Sequence, residues 1–199
     1  MKAALEQFHE EIRRVRNLIA IYDYLQADPK NTLDSSDVLR GGMVLLVSAL
    51  DTFVHDVVRI GMIQILRGDR KQTDSYQKVK FTLQQVNFDP DYLWFERQIR
   101  EENGRETFQT PEQLEKAIKY IFKEDLWVRL SQILKLDNKE DIKRHIRAIV
   151  DRRNQIAHEA DLDMGLPAPT KRSIESEDIK DAVDFIEKLA NAVYQMLNP

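Results

Sequence analysis

The segment Asp151-Arg-Arg-Asn-Gln-Ile-Ala-His-Glu159 brings together two side-chain types suited to work on an anionic ester. Arginine holds such a group through a planar fork of N–H donors, and Arg153 offers that fork. Histidine titrates near neutrality, so His158 can take up or release a proton during a reaction. An Arg and a His five positions apart are not rare in a chain with this many arginines. Their surroundings must decide what they do.

The surroundings are helical. Ile142, Ile146, Ile149 and Ile156 form one apolar stripe, and position 153 lies on it, within roughly 20° of Ile142 at about 100° per residue. Arginine is almost never fully buried without a partner. Arg153 therefore faces a subunit interface, a polar cleft or a buried ion pair. In the last case a core carboxylate such as Asp51 would meet it, and His158 would be a plain exposed residue. On a regular helix Arg153 and His158 point roughly 140° apart, so one such helix does not turn both onto one phosphate. Either the last turn distorts before Gly165–Pro167, or a second copy completes the site. Lys143, Arg144, Arg147, Arg152 and Arg153 gather positive charge here. That cluster reads as a patch for a polyanion, or as a solvated face balanced by Glu140, Asp141 and Asp151.

The elements that would position these residues are all helices. Leu5, Phe8, Ile12, Val15, Ile19 and Tyr22 mark one face of a helix that ends before Asp28-Pro29. A second helix starts near Ser35–Asp37 and stops at Gly68, apolar on most sides and so the buried centre of a bundle. Its Gly41-Gly42 pair has no preceding strand and is not a phosphate loop. Further helices are expected at 72–86, 90–101, 112–123 and 126–135. Thr110-Pro-Glu-Gln113 offers an N-cap, a proline at N1 and a glutamine at N3. Trp94, Phe95 and Trp127 read as core anchors. The motif helix runs from Asn138 through Ala157, and the last from Glu175 to Leu197. Asp161–Lys171 between them reads as a loop from its Gly and Pro. Nothing repeats, and no segment alternates with period two. One all-α domain over 1–199 is the expectation.

The chain has 199 residues, no cysteine and a net charge of −4. No disulfide, thiolate metal site or cysteine nucleophile is available, which suits the reducing cytoplasm. An acidic chain is no general coat for nucleic acid. The first twenty residues lack an apolar core, so no signal peptide is expected. The longest uncharged apolar run, Gly41–Leu50, is about half a membrane span. His9-Glu-Glu-Ile-Arg13 begins like a zinc-binding helix but lacks the second histidine. His55 beside Asp56 reads as structural, and His145 as a surface or rim residue. No metal or cofactor is expected.

Arg153-Asn154-Gln-Ile-Ala-His158 resembles the Arg-polar-x-x-x-His signature of the HEPN superfamily, and it stands near the end of a late helix. Arg40-Gly-Gly-Met-Val-Leu-Leu-Val-Ser-Ala-Leu-Asp51-Thr-Phe-Val-His-Asp56 resembles the second helix of the RiboL-PSP and related HEPN branches. The resemblance covers the first two helices, the motif helix and the last helix, which leaves 70–135 as a helical insertion in a HEPN-like bundle. It implies a metal-independent endoribonuclease with Arg153 and His158 catalytic, and Asn154 as the signature's polar residue. Asp51 would support the site, while Arg147 and Arg152 would touch RNA. It also implies a homodimer with two motifs at one cleft, a 2′,3′-cyclic phosphate product, and a role in phage defence, toxin–antitoxin pairs or stress responses. The competing expectation is a catalytically silent helical module that binds RNA or protein. The HEPN branch controlled by adenylylation carries a tyrosine two residues after the histidine. Ala160 stands there, so that control is not expected.

Overall fold

The computed structural model describes residues 1–81, 86, 92–104, 106–158, 160–163 and 170–198. Its architecture is set by one helix that has no polar face wide enough to leave in water. Helix α2 (Ser36–Arg67) buries Leu39, Met43, Leu46, Leu50, Phe53, Val57 and Met62 among others, around most of its circumference. Each such side chain gains about 1.5–3 kcal/mol by leaving water, so other helices must enclose it. Helix α1 (Lys2–Gln26) lays Phe8, Ile12, Val15 and Ile19 against it. Helices α7 (Lys139–His158) and α8 (Ser176–Leu197) supply two further walls.

Helix α2 ends as its sequence requires. Gly68 takes a left-handed φ of 85°, a region where a side chain is unfavourable. Its N–H bonds the Ile65 carbonyl at 3.0 Å and the Asp69 N–H reaches the Gln64 carbonyl at 2.8 Å, which closes a Schellman turn.

The stretch 70–135 holds α3 (Asp74–Gln77), α4 (Leu93–Asn103), α5 (Pro111–Ile118) and α6 (Leu126–Leu134). Leu114, Ile118, Trp127 and Leu130 join the same hydrophobic core as α2 and α8. The capping box at Thr110 and Gln113 forms as its sequence implies, with Pro111 in the first turn. Trp127 and Phe95 are buried, and Trp94 is half-buried. The expected helix over 72–86 is a correction. Helix stops at Gln77, because Phe81 turns inward and packs edge-on against Phe95, centroids 5.4 Å apart. Packing a half-buried aromatic ring against the core outweighs a few residues of helix propensity. Residues 82–85 lie outside the described part.

The expected loop 161–171 contains a minimal antiparallel ladder, β1 (Leu162–Asp163) on β2 (Thr170–Lys171), with Leu162 opposite Lys171. Gly165–Pro167 lies outside the described residues. Among those residues no helix is long and apolar enough to cross a membrane.

Two glycines of α2 test the packing. A Cβ on Gly61 would lie 2.7 Å from Ile121 Cγ2, whereas one on Gly42 would meet Val15 Cγ1 at 3.8 Å, ordinary contact. Gly61→Ala is expected to destabilise by about 1–3 kcal/mol through overpacking. Gly42→Ala should be neutral or stabilising by up to about 1 kcal/mol, the helix-propensity gain. Urea unfolding of both variants checks this, and equal midpoints would contradict it.

Candidate functional site

The stripe on α7 comes out of the core as it approaches the helix end. Ile142 and Ile146 are fully buried and Ile149 is 8 % exposed, while Arg153 and Ile156 are half-buried. That gradient is why the stripe tolerates an arginine. The guanidinium sits where α7 leaves the bundle, so its aliphatic stem can pack while its head stays near water. Helix α7 remains helical through His158, which is exposed. No distortion of the last turn swings His158 toward Arg153. Within one chain the angular separation of the two side chains stands.

The chain then reverses. Ala160 and Asp161 both adopt left-handed backbone, with φ of 50° and 58°. The Asp161 N–H donates to the Gln155 carbonyl at 3.0 Å, and the Asp161 carbonyl accepts from the Arg172 N–H at 2.8 Å.

The Asp161 carboxylate is fully buried between two arginines. Arg40 Nε donates to its Oδ2 at 2.6 Å. Arg152 grips both oxygens, Nη1 to Oδ1 and Nη2 to Oδ2, the latter at 3.0 Å. The remaining donors reach backbone: Arg40 Nη2 the Arg172 carbonyl at 2.7 Å, and Arg152 Nη2 the Ser173 carbonyl at 3.0 Å. Arg40 Nη1 donates to Ser36 Oγ at 2.6 Å and faces Asp37 at 3.3 Å. The start of α2, the end of α7 and the return strand are thereby tied to one carboxylate.

This sorts the basic cluster. Lys143 pairs with Glu140 at 2.8 Å and lies over the Trp127 ring, and Arg144 pairs with Asp141 at 2.7 Å. Arg147 pairs with Glu112 of α5, and its hydrogen bond holds the Glu112 carboxyl below the ordinary value. Arg152 is taken by Asp161. Of the five cations in the cluster, Arg153 alone makes no hydrogen bond or ion pair among the described residues. The side chains of Asn154 and His158 likewise have no hydrogen-bond partner there.

The other expected site residues have partners within the fold. Asp51 is not brought to Arg153. Its carboxylate accepts from the Phe108 backbone N–H at 2.6 Å and from the Gln109 side-chain Nε2 at 3.2 Å, which supplies the connection into α5 with an acceptor. Arg147 and Arg152, expected to touch RNA, are each held by a carboxylate from elsewhere in the fold. The core carboxylate that does pair with the motif helix is Asp161, and it takes Arg152 rather than its neighbour. A signal for it was available: Arg40 stands between Val38-Leu39 and the apolar run from Gly41, and must find an anion. Of the other histidines, His55 lies on the Phe108 ring with centroids 4.3 Å apart, and His145 is exposed beside Phe185. Among the described residues no group of His, Cys, Asp and Glu is placed to hold a metal ion.

The model of one protein family, described as RiboL-PSP-HEPN, matches residues 9–198. This chain belongs to the RiboL-PSP-HEPN family. The match spans nearly the whole chain, including 70–135, and fits the all-α bundle. No curated protein and no solved structure matches the chain. The matched span takes in the end of α7, where Arg153, Asn154 and His158 have no side-chain partner among the described residues.

The two adjacent arginines should behave differently. Arg152→Ala leaves a buried carboxylate with one partner fewer and is expected to cost about 2–4 kcal/mol. Arg153→Ala removes no ion pair and should cost less than about 1 kcal/mol. Chemical denaturation of the two variants measures the contrast, and equal losses would refute it.

Proposed function

We propose that this chain is a metal-independent endoribonuclease of HEPN type, acting as a homodimer through Arg153 and His158. The observation that carries the reading is the uncommitted guanidinium of Arg153, half-buried on the α7 stripe while its four basic neighbours are neutralised. An arginine in that position lacks an anion, and an RNA phosphate is one. The side-chain amide of Asn154 stands beside it as a polar neighbour.

The chemistry follows from the residue types. The ribose 2′-hydroxyl attacks the adjacent phosphorus, the bond to the 5′-oxygen breaks, and a 2′,3′-cyclic phosphate and a 5′-hydroxyl result. His158 takes the proton from the 2′-hydroxyl or delivers one to the leaving 5′-oxygen. Arg153 binds the phosphate and the charge that grows on it in the transition state. DNA lacks the attacking hydroxyl and is spared. A regular helix through His158 turns the two side chains apart, so a second copy supplies the complementary half of the cleft. The emerging part of the stripe, with Ile156, is the surface that second copy would cover. Such an activity suits defence against phage, a toxin held by an antitoxin partner, or a stress response.

A homodimer is expected at tens of micromolar by light scattering; a monomer there would remove the composite site. Single-stranded RNA should be cut with EDTA present, because the assigned groups are a guanidinium and an imidazole. Loss of cleavage on chelation, restored by a divalent ion, would overturn the mechanism. His158→Ala should lower cleavage about 10²-fold or more, with stability changed by less than about 1 kcal/mol since the residue is exposed. His55→Ala should instead destabilise, with activity lost only in proportion to folded protein. Wild-type cleavage by His158→Ala would leave the silent RNA- or protein-binding module as the reading.

A further inference from the structure

A buried carboxylate between two guanidiniums is an expensive way to close a loop. Desolvating three charges costs about as much as their attraction returns, and well-packed apolar residues often do as well. The backbone adds to the cost, because Ala160 and Asp161 occupy the left-handed region that alanine disfavours. Strain of this kind persists only where the surroundings enforce it, and it gathers at functional sites. Here it begins two residues after His158.

The contacts say what the arrangement accomplishes. Asp161 is joined back to α7 twice, by its N–H to the Gln155 carbonyl at 3.0 Å and by its carboxylate to Arg152. His158 lies inside the turn those two bonds close. The same carboxylate is anchored to α2 by Arg40, itself buried. The helix end that carries His158 is thus referenced to the centre of the bundle, not left to fray. Holding Arg152 also fixes the rotation of the turn that carries Arg153, the next residue along.

We propose that Asp161 is a positioning residue for the Arg153–His158 pair, fixing the last turn of α7 through Arg152 and Gln155. The proposal rests on the ribonuclease reading for its kinetic consequence. Asp161 touches no substrate in this role; it acts through the turn 152–161. Its loss should therefore slow the chemical step more than it weakens RNA binding.

The test uses the full chain. Asp161→Asn, assayed under conditions where circular dichroism shows it folded, should lower kcat by about tenfold or more, with KM within about twofold of wild type. Asp161→Glu keeps the charge and should retain more of the rate than Asp161→Asn. Side-chain NMR of the four histidines gives a readout independent of cleavage. The His158 resonance, identified by its absence in His158→Ala, should shift in Asp161→Asn while those of His9 and His145 stay in place. If Asp161→Asn does not fold, Arg152→Lys, which keeps the charge but not the fork, should show the same kinetic split and the same shift. An unchanged kcat per folded molecule, or a fall in rate matched by a rise in KM alone, overturns the proposal. If the wild-type protein cuts no RNA, the ribonuclease reading fails and the spectrum decides positioning alone, an unmoved His158 resonance counting against it.

Discussion

Helix α2 has apolar side chains around most of its circumference, and everything else in the fold answers that fact. A helix with no broad polar face must be enclosed, and α1, α7 and α8 do so along its length while α4 and α5 cover what remains. The middle stretch of the chain is recruited for the same reason. Trp127 and Leu130 of α6 lie fully within the core against α8, and α5 contributes Leu114 and Ile118. The core is one body, so a change at α5 or α6 is felt through α2 and α8 by the helix that carries the motif.

Enclosure of α2 also dictates where the bundle ends. Helix α7 is a wall of the core at Ile142 and Ile146 and outgrows it by Arg153 and Ile156. The transition from buried Ile149 to half-buried Arg153 takes about one turn of helix. A charged group at that edge has packing for its stem and water near its head. The same group one turn earlier would need a buried partner, and one turn later would be an ordinary solvated cation.

Electrostatic pairing then selects among chemically identical side chains. Arg152 and Arg153 are adjacent, yet one is locked to a buried carboxylate and the other is unpaired among the described residues. The distinction arises from rotation about the helix axis, about 100° between neighbours. It turns Arg152 toward Asp161 and the return strand and leaves Arg153 on the emerging stripe. A basic cluster is therefore a poor measure of anion-binding capacity, because four of its five members here are already neutralised by Glu140, Asp141, Glu112 and Asp161.

Local rules written in the sequence determined the long helices, their caps and the position of Arg153. The 3-4 spacing of isoleucines placed Arg153 on the apolar side of α7, Gly68 stopped α2, and Thr110 with Gln113 started α5. Each depends on residues within a turn or two of one another, so chain order suffices to read them. The Arg153-Asn154-Gln-Ile-Ala-His158 pattern is local in the same way. The pairs of Lys143 with Glu140 and Arg144 with Asp141 are local as well, three residues apart on one helix, whereas tertiary structure alone decided the partners of Arg147 and Arg152. Arg40 and Asp161 are 121 positions apart, and Asp51 finds its partner at Phe108, 57 positions on. The helix expected over 72–86 stopped at Gln77 for a like reason, when Phe81 found a place against Phe95. Helix periodicity acts along the chain, whereas ion pairing and ring packing act across space, and only the folded bundle brings those distant residues within reach.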